Sequence, residues 1–186
     1  VLEAMKDNRV LEITHRAFTV NEAKTYMVEP FCVKLSGGRW YMLARSVEKG
    51  RLLLYSLDRL EHVRTTEQKF ELPRDFVAKD YFADFFGIVI DENVPLQRIV
   101  LRADKYHQYY MRTLPMHHSQ RELFSCDDYA DFELTLRPTY DFYMRLMSWG
   151  NMIKVLEPQS LQDEQRKWLR KTMAVSYTTS DAADEE

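Results

Sequence analysis

The stretch that decides the fold lies between residues 39 and 60 and contains two strand-like runs. The first run reads Arg39-Trp40-Tyr41-Met42-Leu43-Ala44-Arg45, and the second ends in Tyr55-Ser56-Leu57-Asp58-Arg59-Leu60. Aromatic and apolar residues favour a pleated, half-buried strand, and Gly37-Gly38 before the first run and Gly50 after it supply turn chemistry. The two runs therefore predict a β-hairpin that turns through the polar stretch 46–50.

Further strands are indicated on both sides of this hairpin. Residues 9–18 alternate, so that Leu11, Ile13, His15 and Ala17 share one face, whereas Glu12, Thr14 and Arg16 share the other. Runs at 25–35, 51–57 and 61–70 bring the total to about five short strands within about 65 residues, a spacing typical of small β folds. This spacing predicts a small, strongly bent antiparallel sheet or barrel.

The second half of the chain has a different element order. A strand at 96–103 is followed by a helix that Asp104 can cap. A hairpin formed by 119–126 and 132–136 comes next. A second helix begins after Pro138, and a strand at 152–156 and a last helix complete the order. This β-α-β-β-α-β order predicts a ferredoxin-like domain. In the first of these helices Tyr106, Tyr109, Tyr110 and Leu114 recur at helical spacing, which favours a core and interface face over a base-stacking platform.

Charge and cysteine content narrow the class of protein. The 186 residues carry a net charge of −3, which excludes a binder of nucleic acid over its whole surface. Residues 1–75 hold 13 of the 26 basic residues but only 11 of the 29 acidic ones, so an anion site is expected in the front half. The two cysteines, Cys32 and Cys126, are expected to be buried free thiols in a reducing cytoplasm.

The termini add two expectations about the chain. It begins at Val1 and shows neither a secretory signal nor an apolar run near the roughly 20 residues that span a bilayer, so a fragment of a cytoplasmic protein without a membrane partner is expected. Residues 177–186 are rich in acidic side chains and are expected to be a disordered tail.

Motifs for catalysis are missing from the sequence. It has no phosphate-binding glycine loop, no nucleophile elbow and no HExxH motif, so neither an enzyme nor a cofactor is predicted. The adjacent His117 and His118 would point to opposite faces of a strand, so no metal site is predicted there. Asp127-Asp128 is interpreted as a turn rather than a catalytic pair.

The pair Trp40-Tyr41 followed by Leu57-Asp58-Arg59 resembles the signature of the WYL domain family, although Met42 replaces the leucine of the tripeptide. The family is mostly the sensor half of bacterial transcription regulators, with a winged helix-turn-helix ahead of it. The resemblance implies a small Sm-like β-barrel followed by a ferredoxin-like C-terminal extension, which makes the fold class α+β. The stretch His117-His118-Ser119-Gln120 and the segment 150–158 resemble that extension too.

These patterns and the resemblance divide the chain into five segments. We expect the end of a linker helix at 1–8, the WYL barrel at 9–73, a connector at 74–95, the ferredoxin-like extension at 96–176 and the tail at 177–186.

The front half supplies five candidate ligand-binding residues. The resemblance implies that His15 lines the ligand site, whereas a lone histidine on the apolar face of a strand is usually a core residue with its hydrogen bonds satisfied. Alternation puts Trp40 in the core, which would turn Tyr41 and Arg45 toward an opening. Arg59 is either an anion contact or the partner of Asp58. Ser56 stands where many family members carry a basic residue, and its hydroxyl does not replace a guanidinium as a phosphate fork.

Two hypotheses of different class follow from these patterns. The first is an effector-sensing, homodimeric part of a transcription regulator that binds single-stranded nucleic acid or a nucleotide-like anion and reaches duplex DNA only through a missing N-terminal domain. The second is an oligomerisation or protein-interaction module without a small ligand. An enzyme acting on nucleotides is a third and weaker hypothesis, because no nucleophile or metal constellation can be assembled from these residues.

Overall fold

The computed structural model describes residues 1–18 and 22–178. The chain divides into two compact units, Val1–Tyr81 and Phe82–Glu186, and each unit is built on one antiparallel sheet. The fold is therefore α+β, as the sequence predicts. None of the helices in the described part of the chain is long and apolar enough to cross a membrane.

The first unit contains one five-stranded sheet and two short helices. Its elements are α1 (Leu2–Lys6), β1 (Arg9–His15), β2 (Lys24–Ser36), β3 (Arg39–Ser46), β4 (Leu52–Ser56), a turn of 3-10 helix (Leu57–Arg59), β5 (Leu60–Lys69) and α2 (Ala78–Tyr81). The strand boundaries agree with those predicted from the sequence to within about three residues.

The five strands pair in the order β4-β3-β2-β1-β5, and every neighbouring pair is antiparallel. The turn between β2 and β3 contains Gly37 and Gly38, whose φ values of 55° and 77° favour glycine because a side chain would be strained there. Between the described residues no ladder joins β4 to β5. The closed Sm-like barrel therefore remains a prediction.

The core of the first unit lies on both sides of β3. Met42 and Ala44 are fully buried beside Leu11 and Ile13 of β1, and Leu43 on the opposite side of the strand is just as deeply buried. Trp40, which strand alternation places in the core, is 52% exposed instead. The prediction is wrong because Trp40 lies at the beginning of β3, where the cover over Met42 and Ala44 ends and an open apolar cleft lined by Trp40, Val1 and Leu57 begins.

The second unit contains a four-stranded sheet and three helices. Its elements are β6 (Gln97–Asp104), α3 (His107–Thr113), β7 (Arg121–Ser125), β8 (Tyr129–Leu136), α4 (Tyr140–Ser148), β9 (Ile153–Glu157) and α5 (Gln159–Thr178). The strands pair in the order β7-β8-β6-β9. The alternation β-α-β-β-α-β is the order that the sequence predicts, and one apolar cluster from β6, β8, β9 and the helices forms the core.

Helix α3 turns a different face to the core than its sequence predicts. Asp104 accepts hydrogen bonds from the backbone N–H groups of Tyr106 and His107 at 3.0 and 2.7 Å, which confirms the predicted cap. Gln108 and Met111 are buried. The helical series expected in the core is exposed by 61–78%, namely Tyr106, Tyr109, Tyr110 and Leu114.

Two smaller expectations change as well. Cys126 is exposed rather than buried, and Cys32 is half-buried. Helix α5 includes residues 177 and 178, which the sequence places in the tail, and the remaining tail residues 179–186 lie outside the described residues.

Candidate functional site

A cavity of about 410 Å³ opens where the chain leaves β1 and where the 3-10 helix enters β5. The backbone N–H of Arg16 donates to the carbonyl of Arg59 at 3.1 Å and holds the two segments side by side. The cavity is lined by Arg16, Ala17, Phe18, Asp58, Arg59, Leu60 and Glu61. It therefore combines an aromatic ring with charged side chains of both signs.

Arg59 is the distinctive cation of this cavity. Its guanidinium lies over the ring of Phe18 at 4.4 Å from the ring centroid, and Phe18 itself is 79% exposed. The Nε atom of Arg59 is buried without a hydrogen-bond partner among the described residues. No described carboxylate forms an ion pair with it. An anion entering the cavity would thus meet a guanidinium that forms no ion pair with a described carboxylate.

The two acidic residues of the cavity, Asp58 and Glu61, pair with side chains other than Arg59. Asp58 accepts a hydrogen bond from the hydroxyl of Ser56 and pairs with Arg39 at 3.0 Å, and these contacts hold the pKa of Asp58 below its usual value. Glu61 pairs with Arg16 at 2.5 Å. The sequence leaves two interpretations open for Arg59, an anion contact or an ion pair with Asp58. The structure does not show the ion pair among the described residues.

His15 lies on β1 beside this cavity, half-buried. Its ring meets Tyr55 edge to face with 5.6 Å between centroids, and its Nε2 atom is buried without a hydrogen-bond partner among the described residues. Burial and the positive charge of Arg59 lower the pKa of His15. The neutral imidazole keeps one nitrogen that can accept or donate when a polar ligand arrives.

Tyr41 and Ser56 face each other across β3 and β4. Tyr41 is half-buried, whereas Ser56 is fully buried and its hydroxyl donates a hydrogen bond to Asp58. Ser56 is therefore placed to position Asp58 rather than to contact a ligand directly.

Arg45 lies apart from the other candidates. It pairs with Glu29 on the neighbouring strand, its guanidinium is 5.6 Å from the centroid of Phe31, and it lines a different cleft. The five predicted residues therefore do not form one site, because Arg45 and Arg59 line separate cavities. Arg39 helps to shape the Arg59 cavity because it pairs with Asp58.

Sequence reasoning missed Phe18 as a site residue. The available signal was an aromatic side chain at the end of the alternating run of β1, next to a polar segment. Its contact with Arg59 joins positions 41 residues apart, and no local pattern reveals such a contact.

In the second unit the histidine pair has structural partners. The Nδ1 atom of His117 is 2.7 Å from the hydroxyl of Ser119, and Nε2 of His118 is 2.7 Å from the carbonyl of Ala83. Within the described part of the chain no group of three or more side chains is arranged to hold a metal ion.

Comparison with known proteins adds a family to this geometry. A model described as WYL domain matches residues 1–65, and one described as WCX domain matches residues 95–173. The chain contains a WYL domain followed by a WCX domain. Within this WYL-domain protein the Arg59 cavity lies inside the matched WYL segment, and the exposed face of α3 lies inside the WCX segment.

Two solved structures resemble this WYL-domain protein. Proteasome accessory factor B/C (PafBC) of Arthrobacter aurescens is 20% identical with a TM-score of 0.42, over 88% of this chain and 25% of that one. A CRISPR Cas-related protein is 11% identical with a TM-score of 0.51, over 100% of this chain and 50% of that one. This WYL-domain protein thus spans about a quarter of the length of the first protein and about half of the length of the second. The likeness to the second protein supports the fold alone. No curated protein matches the chain.

Proposed function

We propose that the chain is the effector-sensing and dimerising part of a bacterial transcription regulator. The effector is an anionic, nucleotide-like molecule or a single-stranded nucleic acid, and it binds in the Arg59 cavity. In this proposal the sheet of the first unit is the family's Sm-like barrel and the second unit is its ferredoxin-like extension. The chain itself performs no catalysis, and an N-terminal domain of the complete protein reads duplex DNA.

The observation that carries this proposal is the stacked guanidinium of Arg59. It lies on an exposed aromatic ring, faces a cavity of about 410 Å³ and has no ion pair among the described residues. A phosphate needs charge-assisted donors, and a base needs a flat apolar surface; Arg59 and Phe18 offer both within one cavity.

Regulation then follows from differential affinity. An effector that binds one arrangement of the regulator better than another shifts the population toward that arrangement by the ratio of its two affinities. The cavity needs only to distinguish two poses of the segments that line it. No bond is made or broken in this process.

The test is fluorescence anisotropy of a labelled short single-stranded DNA, titrated with the chain at two salt concentrations. We expect Arg59→Gln to weaken binding about tenfold, because a charge-assisted contact contributes roughly 1.5–3 kcal/mol. The dependence of log affinity on log salt should also fall by about 0.7, since one phosphate contact is lost.

Two variants serve as matched controls. Arg51→Gln removes an exposed charge from the same sheet, and Arg45→Gln removes one that Glu29 already neutralises. Both should bind nearly as the wild type does. Equal weakening in all three variants would reduce the effect to net charge, and absence of binding by the wild type would reject a nucleic-acid effector.

One observation favours the oligomerisation module as a second candidate function. Tyr106, Tyr109, Tyr110 and Leu114 form an exposed apolar face on α3, with exposed fractions of 61–78%. Analytical ultracentrifugation of the wild type and of Tyr106→Ser/Tyr110→Ser tests this candidate. A dimer that persists in the variant would remove the helix face from consideration.

A further inference from the structure

A second cleft in the first unit has a chemistry opposite to that of the Arg59 cavity. It encloses about 390 Å³ and shares no lining residue with that cavity. It lies between the sheet and the segment that leads into α2. Its lining residues are Phe31, Arg45, Gly50, Leu52, Pro73, Asp75, Phe76, Val77, Asp80 and Tyr81.

Three aromatic rings form its walls. The centroids of Phe31 and Phe76 are 5.0 Å apart with an angle of 71° between the ring planes, and Phe76 and Tyr81 are 6.1 Å apart at 48°. The rings therefore pack against one another, edge to face in the first pair and tilted in the second, and all three line the cleft. Arg45 already uses one of these faces, because its guanidinium is 5.6 Å from the centroid of Phe31.

The charges around these rings favour a cation. Arg45 is neutralised by Glu29, whereas Asp75 and Asp80 are exposed and have no ion pair among the described residues. Aromatic faces carry negative partial charge, and two carboxylates at the mouth add to it. The carboxylates of Asp75 and Asp80 would repel an anion. An apolar ligand would make no favourable contact with either carboxylate.

We propose that this cleft binds a small alkylammonium cation. The charged head lies against the faces of Phe76 and Tyr81, its methyl or methylene groups fill the apolar space near Leu52, and Asp75 and Asp80 attract the charge. The chain thereby has two binding sites of opposite charge preference in one unit. The second site does not depend on the function proposed for the Arg59 cavity.

The test is isothermal titration calorimetry of the whole chain with choline and with its uncharged isostere, in which a tert-butyl group replaces the trimethylammonium group. We expect saturable binding of choline and at least about tenfold weaker binding of the isostere, since the isostere lacks the charge that the ring faces and the carboxylates attract. Equal affinity for the two would show that shape and apolar contact suffice, and it would overturn the proposal.

Variants separate the two contributions. Asp75→Asn/Asp80→Asn should weaken choline binding about tenfold, because both carboxylates that attract the cation are neutralised. The matched control Asp127→Asn/Asp128→Asn removes the same charge from an exposed turn of the second unit and should leave binding unchanged. Phe76→Leu keeps an apolar wall but removes the ring, so choline should lose affinity and the isostere should not. A wild-type affinity in both the Asp75→Asn/Asp80→Asn and Phe76→Leu variants would overturn the assignment.

Discussion

At the scale of single residues, the position of Asp58 decides whether Arg59 remains available to a ligand. Ser56 donates to Asp58, and Arg39 pairs with it, so the carboxylate makes its contacts with these two side chains instead of an ion pair with Arg59. We expect Ser56→Ala to let Asp58 turn toward Arg59 and pair with it, which should weaken oligonucleotide binding about threefold, within the range of an exposed ion pair. Fluorescence anisotropy measures the affinity of the variant. An affinity equal to that of the wild type would show that Asp58 does not control Arg59.

His15 gives a prediction about pH. Burial and Arg59 lower its pKa in the folded chain below the ordinary value of about 6.5. As pH falls below about 6.5, the unfolded chain takes up this proton first, so the free energy of unfolding decreases until the lower folded pKa is reached. His15→Gln lacks this loss, and urea unfolding between pH 7 and 5 should show the wild type losing stability relative to the variant. Parallel stability profiles for the two proteins would contradict the prediction.

At the scale of elements, helix α3 tests which face holds the helix to its sheet. Met111 is fully buried, whereas Tyr110 is 65% exposed. We expect Met111→Ala to lower the free energy of unfolding by about 2–5 kcal/mol, because a buried side chain leaves a cavity. Tyr110→Ala should change it by about 0.5 kcal/mol or less. Urea denaturation of both variants measures the difference, and a larger loss for Tyr110→Ala would mean that the tyrosine face is covered in solution.

The same helix shows how far sequence patterns predict elements. Asp104 and the order of strands and helices follow from local chemistry, because a cap acts within three residues and a strand period needs only its own side chains. The face that a short helix buries depends on its rotation against the sheet, and the apolar spacing of three tyrosines does not determine that rotation. The prediction for Trp40 is wrong for a related reason, since strand alternation gives the face of a residue but not how far along the strand that face is covered.

At the scale of the whole molecule, the candidate site was predictable in part. The signature contains Arg59, which lines the cavity, and the charge of Arg59 acts on His15 nearby, whereas the role of both residues in ligand binding stays a prediction. The separation of Arg45 from Arg59 was not predictable, because it depends on Glu29 being opposite Arg45 in the register of β2 and β3. The role of Phe18 likewise depends on a contact between distant segments. Register and long-range contacts are properties of the folded sheet rather than of any local stretch.

Two separate cores give the last prediction. Met42 belongs to the core of the first unit, and Leu134 to that of the second, so Met42→Ala and Leu134→Ala should each destabilise mainly their own unit. Differential scanning calorimetry should then show two unfolding transitions, and each variant should lower the temperature of one of them.

A ligand stabilises the unit that binds it. A single-stranded oligonucleotide should therefore raise the temperature of the transition that Met42→Ala lowers and leave the other unchanged. Arg59→Gln should abolish this rise. A rise confined to the transition that Leu134→Ala lowers would place the nucleic-acid site in the second unit and overturn the assignment to the Arg59 cavity.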